Sequence, residues 1–155
     1  MKKILIILSL SYFFPLSIVF SSELEAGKWN FISTANYCYI GSLPVFKDVP
    51  EGKKRGETFI LVYRMNKSDQ AVVQIDAGYP YDTEKDVEVI IDNNTIKFFP
   101  DEDSAWAEND NKVILSMKKG LELIVKGHSS RGTLTKDIYS LKGFTAAYNN
   151  LFDDC

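Results

Sequence analysis

From Trp29 onward, apolar and polar residues mostly alternate in short runs, and the runs are separated by clusters of Gly, Pro, Asn and Asp. A period of two in runs rich in aromatic and β-branched residues predicts strands with one buried face. Trp29 to Ala35 and Tyr37 to Ser42 open this pattern as a pair. Thr58 to Met65 and Ala71 to Ala77 follow as a strongly apolar hairpin around the polar turn Asn66 to Gln70. Val87 to Ile91 and Thr95 to Phe99 form a shorter hairpin around Asp92, Asn93 and Asn94, residues that tolerate the left-handed backbone of tight turns. Leu121 to Lys126 and Thr133 to Tyr139 are the last two strands, with Gly127 to Gly132 between them. Two long loops interrupt the series. Leu43 to Gly56 carries two prolines and the cluster Lys53, Lys54, Arg55, and Gly78 to Asp86 carries Tyr79, Pro80 and Tyr81.

The period changes twice to that of a helix. After the acidic turn Asp101 to Asp103, Asn109 to Lys119 places Val113, Ile114 and Met117 on one face. Asp110 suits its N-terminal turn, Lys118 and Lys119 suit the negative end of the dipole, and Gly120 is expected to stop it in the left-handed conformation. At the end of the chain, Leu141, Phe144, Tyr148, Leu151 and Phe152 recur at helical spacing, with Ser140 as the expected N-cap. The stripe reads as a face packed on the core. Many short strands with two short helices, one of them C-terminal, predict a mostly β, single-domain antiparallel β-sandwich or flattened barrel.

The start of the chain obeys neither period. Met1, Lys2 and Lys3 precede an apolar run from Ile4 to Phe20, which closes on small residues, the pattern of a secretory signal peptide cut after Ser21. The competing reading is a membrane anchor, since roughly 17 apolar residues can just cross a bilayer. Pro15, the serines and the lack of a following basic cluster argue against it, and no cysteine stands at the cleavage point for a lipid anchor. Residues 1–21 are therefore expected to be a leader and residues 22–155 the exported domain, in the periplasm, at the cell surface or secreted.

Export changes how charge and cysteine are read. The whole chain carries a formal net charge of −3, and loss of Lys2 and Lys3 makes the remainder about −5. An acidic domain without a basic stripe is a poor fit to nucleic acid or anionic lipid. Two cysteines in an exported chain read as one disulfide, Cys38 with Cys155, closing almost the whole domain.

Candidate chemistry is sparse. No Gly-x-Ser-x-Gly turn is present, and one histidine with two paired cysteines cannot build a transition-metal site. Asp101, Glu102 and Asp103 lack the alternating spacing of a calcium loop, so neither metal nor cofactor is expected. Asp76, Asp82, Glu84 and Asp86 could supply a glycosidase pair but read as solvated loop residues. The turn holding His128, Ser129 and Arg131 could bring together a base, a hydroxyl and a cation, and makes a small periplasmic hydrolase the alternative function. The leading expectation is a binding surface on loop aromatics, Tyr79, Tyr81 and Trp106, with His128 and Arg131 beside them.

The C-terminal half also carries a combination of residues beyond periodicity: Met117 to Gly120, then Gly127, Ser129, Arg131, Gly132 and Thr133, then Asp137, Tyr139, Ser140, Leu141, Gly143, Phe144, Ala146 and Ala147. With Gly27, Trp29, Cys38, Arg55 and Gly56 upstream, the chain resembles the invasion-associated locus B family of Gram-negative envelope proteins. The resemblance implies an exported β-sandwich-like domain with no shared catalytic residues or cofactor. The leading expectation for function is a non-enzymatic protein-binding or envelope-support role, with an unknown envelope or host protein as the partner.

Overall fold

The computed structural model describes residues 24–155, so the expected leader lies outside the described residues. Among the described residues ten strands are present: β1 (Asn30–Ser33), β2 (Tyr37–Ser42), β3 (Phe46–Lys47), β4 (Phe59–Met65), β5 (Val72–Asp76), β6 (Val87–Ile91), β7 (Asn94–Asp101), β8 (Ser104–Ala107), β9 (Glu122–His128) and β10 (Leu134–Ser140). They form one sheet in the order β1-β2-β4-β5-β8-β7-β6-β9-β10-β3, with antiparallel neighbours throughout. The mostly β expectation holds, and of its two forms the flattened barrel is realised, as a curled half-barrel.

The curl follows from one continuous stretch of chain. Ser42 ends β2 near one edge, and Leu43, Pro44 and Val45 lead straight into β3, which pairs with β10 at the other edge. The Val45 N–H donates to the Ile138 carbonyl at 2.7 Å, so the two sheet ends are tied at this corner. The period of two places Cys38 and Ile40, Ile60 and Val62, Val73 and Ile75, Val87 and Val89, and Leu123 and Val125 in one buried cluster. Each large apolar side chain so buried contributes about 1.5–3 kcal/mol.

Two strands depart from expectation. β3 lies in the stretch read as a loop, and β8 in the stretch read as the approach to the first helix. Both are short and poor in β-branched residues; β3 is held by the distant β10, and β8 by its hairpin with β7 and by β5 on its other side. The acidic turn is the reversal between β7 and β8, with Glu102 at φ 54°. Trp106 is consequently a strand residue, paired in register with Gln74 and Phe99, and not a loop residue.

Helix α1 (Asp110–Lys119) is capped by Asn109, whose side chain accepts from the Lys112 N–H at 3.0 Å. Asp110 accepts from the Val73 N–H at 2.8 Å and pins the helix to β5. Gly120 follows the helix but has an extended backbone, φ −82°. Its small size answers a packing need instead, since a Cβ there would lie 2.6 Å from Ile91 and 2.9 Å from Leu141.

Helix α2 (Phe144–Asp153) starts at Gly143, φ 84°, and not at Ser140. Ser140 still belongs to β10, opposite Glu122, and its hydroxyl accepts from the Lys142 N–H in the intervening turn. Phe144, Ala147 and Leu151 face the core, and Phe144 meets Trp29 edge-on at 4.9 Å. The other end of α2 is held by the Cys38–Cys155 disulfide, Cα to Cα 5.9 Å, as expected. Arg64 reinforces it, donating to the Leu151 carbonyl at 2.5 Å and lying 4.3 Å over the Phe152 ring.

Candidate functional site

Three loops that are remote in sequence meet at one end of the half-barrel: residues 48–58, residues 77–86 and the β9–β10 turn. Backbone hydrogen bonds lock them together. Gly56 N–H donates to the Gly78 carbonyl at 2.9 Å, Asp82 N–H to His128 at 2.8 Å, and Ser130 N–H to Pro80 at 2.8 Å. The first contact requires glycine. Gly78 has φ 67°, and a Cβ there would sit 2.5 Å from the Gly56 carbonyl oxygen. Gly127 is equally constrained, since a Cβ would lie 2.5 Å from the Tyr81 ring.

A cleft of about 330 Å³ opens between these loops. Lys53, Lys54, Arg55 and Arg131 contribute to its lining, with hydroxyls from Tyr79, Ser129, Ser130, Thr133 and Thr135. Pro50 and Pro80 supply apolar wall, and no carboxylate lines it.

The floor is an ion pair. Arg55 donates from Nη1 to Asp137 Oδ1 at 2.7 Å and from Nη2 to Oδ2 at 2.5 Å, with both side chains only 3% exposed. Its Nε donates to the Ala77 carbonyl and Nη1 also to that of Asp48, so this one guanidinium joins two of the loops to β10. Burial works against the charge, but the hydrogen bonds and charge of Asp137 outweigh it and raise the Arg55 pKa. Tyr79 packs under the guanidinium at 4.9 Å, and its hydroxyl shares a hydrogen bond with Thr135 at 2.7 Å. Burial raises the Tyr79 pKa, against that hydrogen bond. Deeper still, Tyr81 and Tyr139 bury hydroxyls without a hydrogen-bond partner among the described residues, and burial pushes both phenols well above their ordinary value.

Sequence reasoning missed the Arg55–Asp137 pair as a unit. A signal existed: Thr135, Asp137 and Tyr139 are the inward positions of β10, and a carboxylate on an inward row demands a cationic partner. Of the residues singled out beforehand, Tyr79, Ser129 and Arg131 line the cleft. Tyr81 does not offer a surface, because it is 3% exposed and packs edge-on to Tyr79 beneath the loops. His128 ends β9 and is absent from the cleft lining, its carbonyl accepting from Asp82. The Ser129 hydroxyl accepts from the Thr133 N–H at 3.1 Å, closing its own turn. Trp106 stands apart from all of these on β8, edge-on to Tyr63 at 6.5 Å.

The loop carboxylates are not gathered. Asp76 accepts from the Gly78 N–H at 2.8 Å, and burial raises its pKa. Asp82 is held below its ordinary value by its hydrogen bond with Lys85, and Asp86 pairs with Lys97. Among the described residues no group of three or more His, Cys, Asp or Glu side chains could hold a metal ion. No helix in that range is long and apolar enough to cross a membrane.

The family model described as invasion associated locus B (IalB) protein matches residues 34–151. No curated protein matches the chain. Among solved structures, the chain is similar to the crystal structure of invasion associated protein B from Bartonella henselae, at 14% identity and a TM-score of 0.62. The match covers 83% of this chain and 94% of that one, a likeness of fold.

Proposed function

The chain belongs to the invasion associated locus B family, and from that premise we propose that it is an exported, non-enzymatic binding module of the bacterial envelope, recognising its ligand in the three-loop cleft and acting with an envelope or host partner. The observation that carries the reading is the cleft itself. Its floor is fixed by a buried, bidentate ion pair, while Lys53, Lys54 and Arg131 on its walls enter no ion pair among the described residues. A rigid base under unspent charge and hydroxyls is suited to binding. The disulfide agrees with an oxidising compartment, and the leader pattern of residues 1–21 supplies the route to it. Binding is favoured over hydrolysis because His128, the base that the hydrolase reading needs, does not line the cleft beside Ser129.

Two measurements test this. Fractionation and intact mass should find a periplasmic or released protein beginning at Ser22 with no free thiol. Cross-linking in the native envelope should capture a reproducible partner that Arg131→Ala weakens. A full-length cytoplasmic protein would overturn export, and cross-links indifferent to Arg131 would move recognition elsewhere, with the Trp106 face examined next.

A further inference from the structure

We propose that the ligand of this cleft is a sugar-sized molecule carrying a phosphate group, an inference that rests on the reading of the cleft as the binding site. The charge distribution points to an anion. The chain has 21 acidic and 18 basic residues, yet the cleft gathers four cations and no carboxylate. Arg55 is spent on Asp137, leaving the exposed Lys53, Lys54 and Arg131 to face a ligand. Three cations outside any ion pair among the described residues exceed what one carboxylate needs. They match a dianionic phosphate, whose three outer oxygens accept charge-assisted hydrogen bonds from a guanidinium fork and from ammonium groups.

The rest of the lining describes the body to which the phosphate is attached. Ser130 and Thr133 place hydroxyls on the walls, and Pro50 and Pro80 add apolar surface, the mixture that a sugar ring with its alternating hydroxyls and C–H faces requires. A volume of about 330 Å³ lies at the small end of ligand sites, near monosaccharide size. The position of Arg131 suits recognition, at the exposed tip of a turn closed by Gly132 at φ 82°.

The test is an amide chemical-shift titration of the disulfide-intact protein with glucose 6-phosphate, beside glucose and glucuronate. The expected result is a shift of amides in residues 53–55, 78–80 and 129–133 with glucose 6-phosphate, weaker with glucuronate and absent with glucose. Lys53→Ala with Lys54→Ala and Arg131→Ala combined should weaken binding at least about tenfold, the loss of one charge-assisted hydrogen bond or more. These side chains are exposed, so the variant's unperturbed spectrum verifies its fold. Vesicles carrying a phosphorylated glycolipid, set against the same lipid dephosphorylated, separate a membrane headgroup from a free sugar phosphate as the source. Glucose shifting the same amides as strongly would overturn the phosphate while leaving the cleft as a binding site. Shifts mapping to Trp106 and Tyr63, or no response at the cleft to any probe while cross-links bypass Arg131, would overturn both readings.

Discussion

Arg55 and Asp137, 82 positions apart in the chain, meet through two parallel hydrogen bonds of 2.7 and 2.5 Å beneath the loop cleft. Breaking one side leaves an unpaired buried charge. Arg55→Ala or Asp137→Ala is expected to cost about 3–5 kcal/mol in urea unfolding, whereas Arg55→Met combined with Asp137→Leu should recover most of that loss. The double variant would then fold with a loosened loop 48–56, because the donors to Ala77 and Asp48 are gone. A loss below about 1 kcal/mol in the single variants would contradict the role assigned to the pair.

Gly78 is the point where two loops touch. Gly78→Ala brings a Cβ to 2.5 Å from a backbone oxygen at φ 67°, a position with no flexible side chain to yield. The expected cost is about 1–3 kcal/mol, with altered amide shifts in residues 54–57. Gly132→Ala, at φ 82° but with open space around it, should cost less, and equal losses would show that backbone conformation rather than contact decides.

The disulfide spans a sequence separation of 117. Constraining so long a loop in the unfolded chain is worth about 4–5 kcal/mol in the chain-entropy model. Reduction, or Cys38→Ala with Cys155→Ala, should lower unfolding stability by that order. Hydrogen exchange should then rise first in the last turn of α2, where Arg64 remains as the other tether.

Tyr81 and Tyr139 predict an alkaline transition. Burial holds both phenols protonated in the folded protein above the ordinary value of 10.0, so there the native state binds more protons than the unfolded one. Their contribution is intact below pH 10 and is lost progressively as pH rises beyond it. Tyr139→Phe removes a hydroxyl without a partner among the described residues. It should raise neutral-pH stability by roughly 1 kcal/mol and move the alkaline midpoint upward, read from circular dichroism against pH. A lower midpoint would mean that the hydroxyl is satisfied.

Much of the fold was legible because its signals are local. Side-chain alternation places Ile60 and Val62, or Val87 and Val89, on one face whatever lies opposite, and Asn109 caps α1 within its own turn. A chain with two cysteines leaves one intramolecular pairing, so Cys38 and Cys155 could be joined on paper. The same locality explains the misses. β3 exists because β10 lies beside it, β8 pairs with β7 and β5 without a β-branched residue of its own, and Ser140 was taken up by the β10 ladder before it could cap a helix.

By itself, the sequence determined the family, both helices, every strand but β3 and β8, the disulfide and the list of polar residues in the β9–β10 turn. Only the tertiary structure decided which of them share a site. It put Tyr81 under the loops, left Trp106 on another strand, and chose Arg55 from among 18 basic residues to meet Asp137. Periodicity tells each residue which face it occupies, but the curl of the sheet sets which faces converge, and that depends on pairings between segments far apart in the chain.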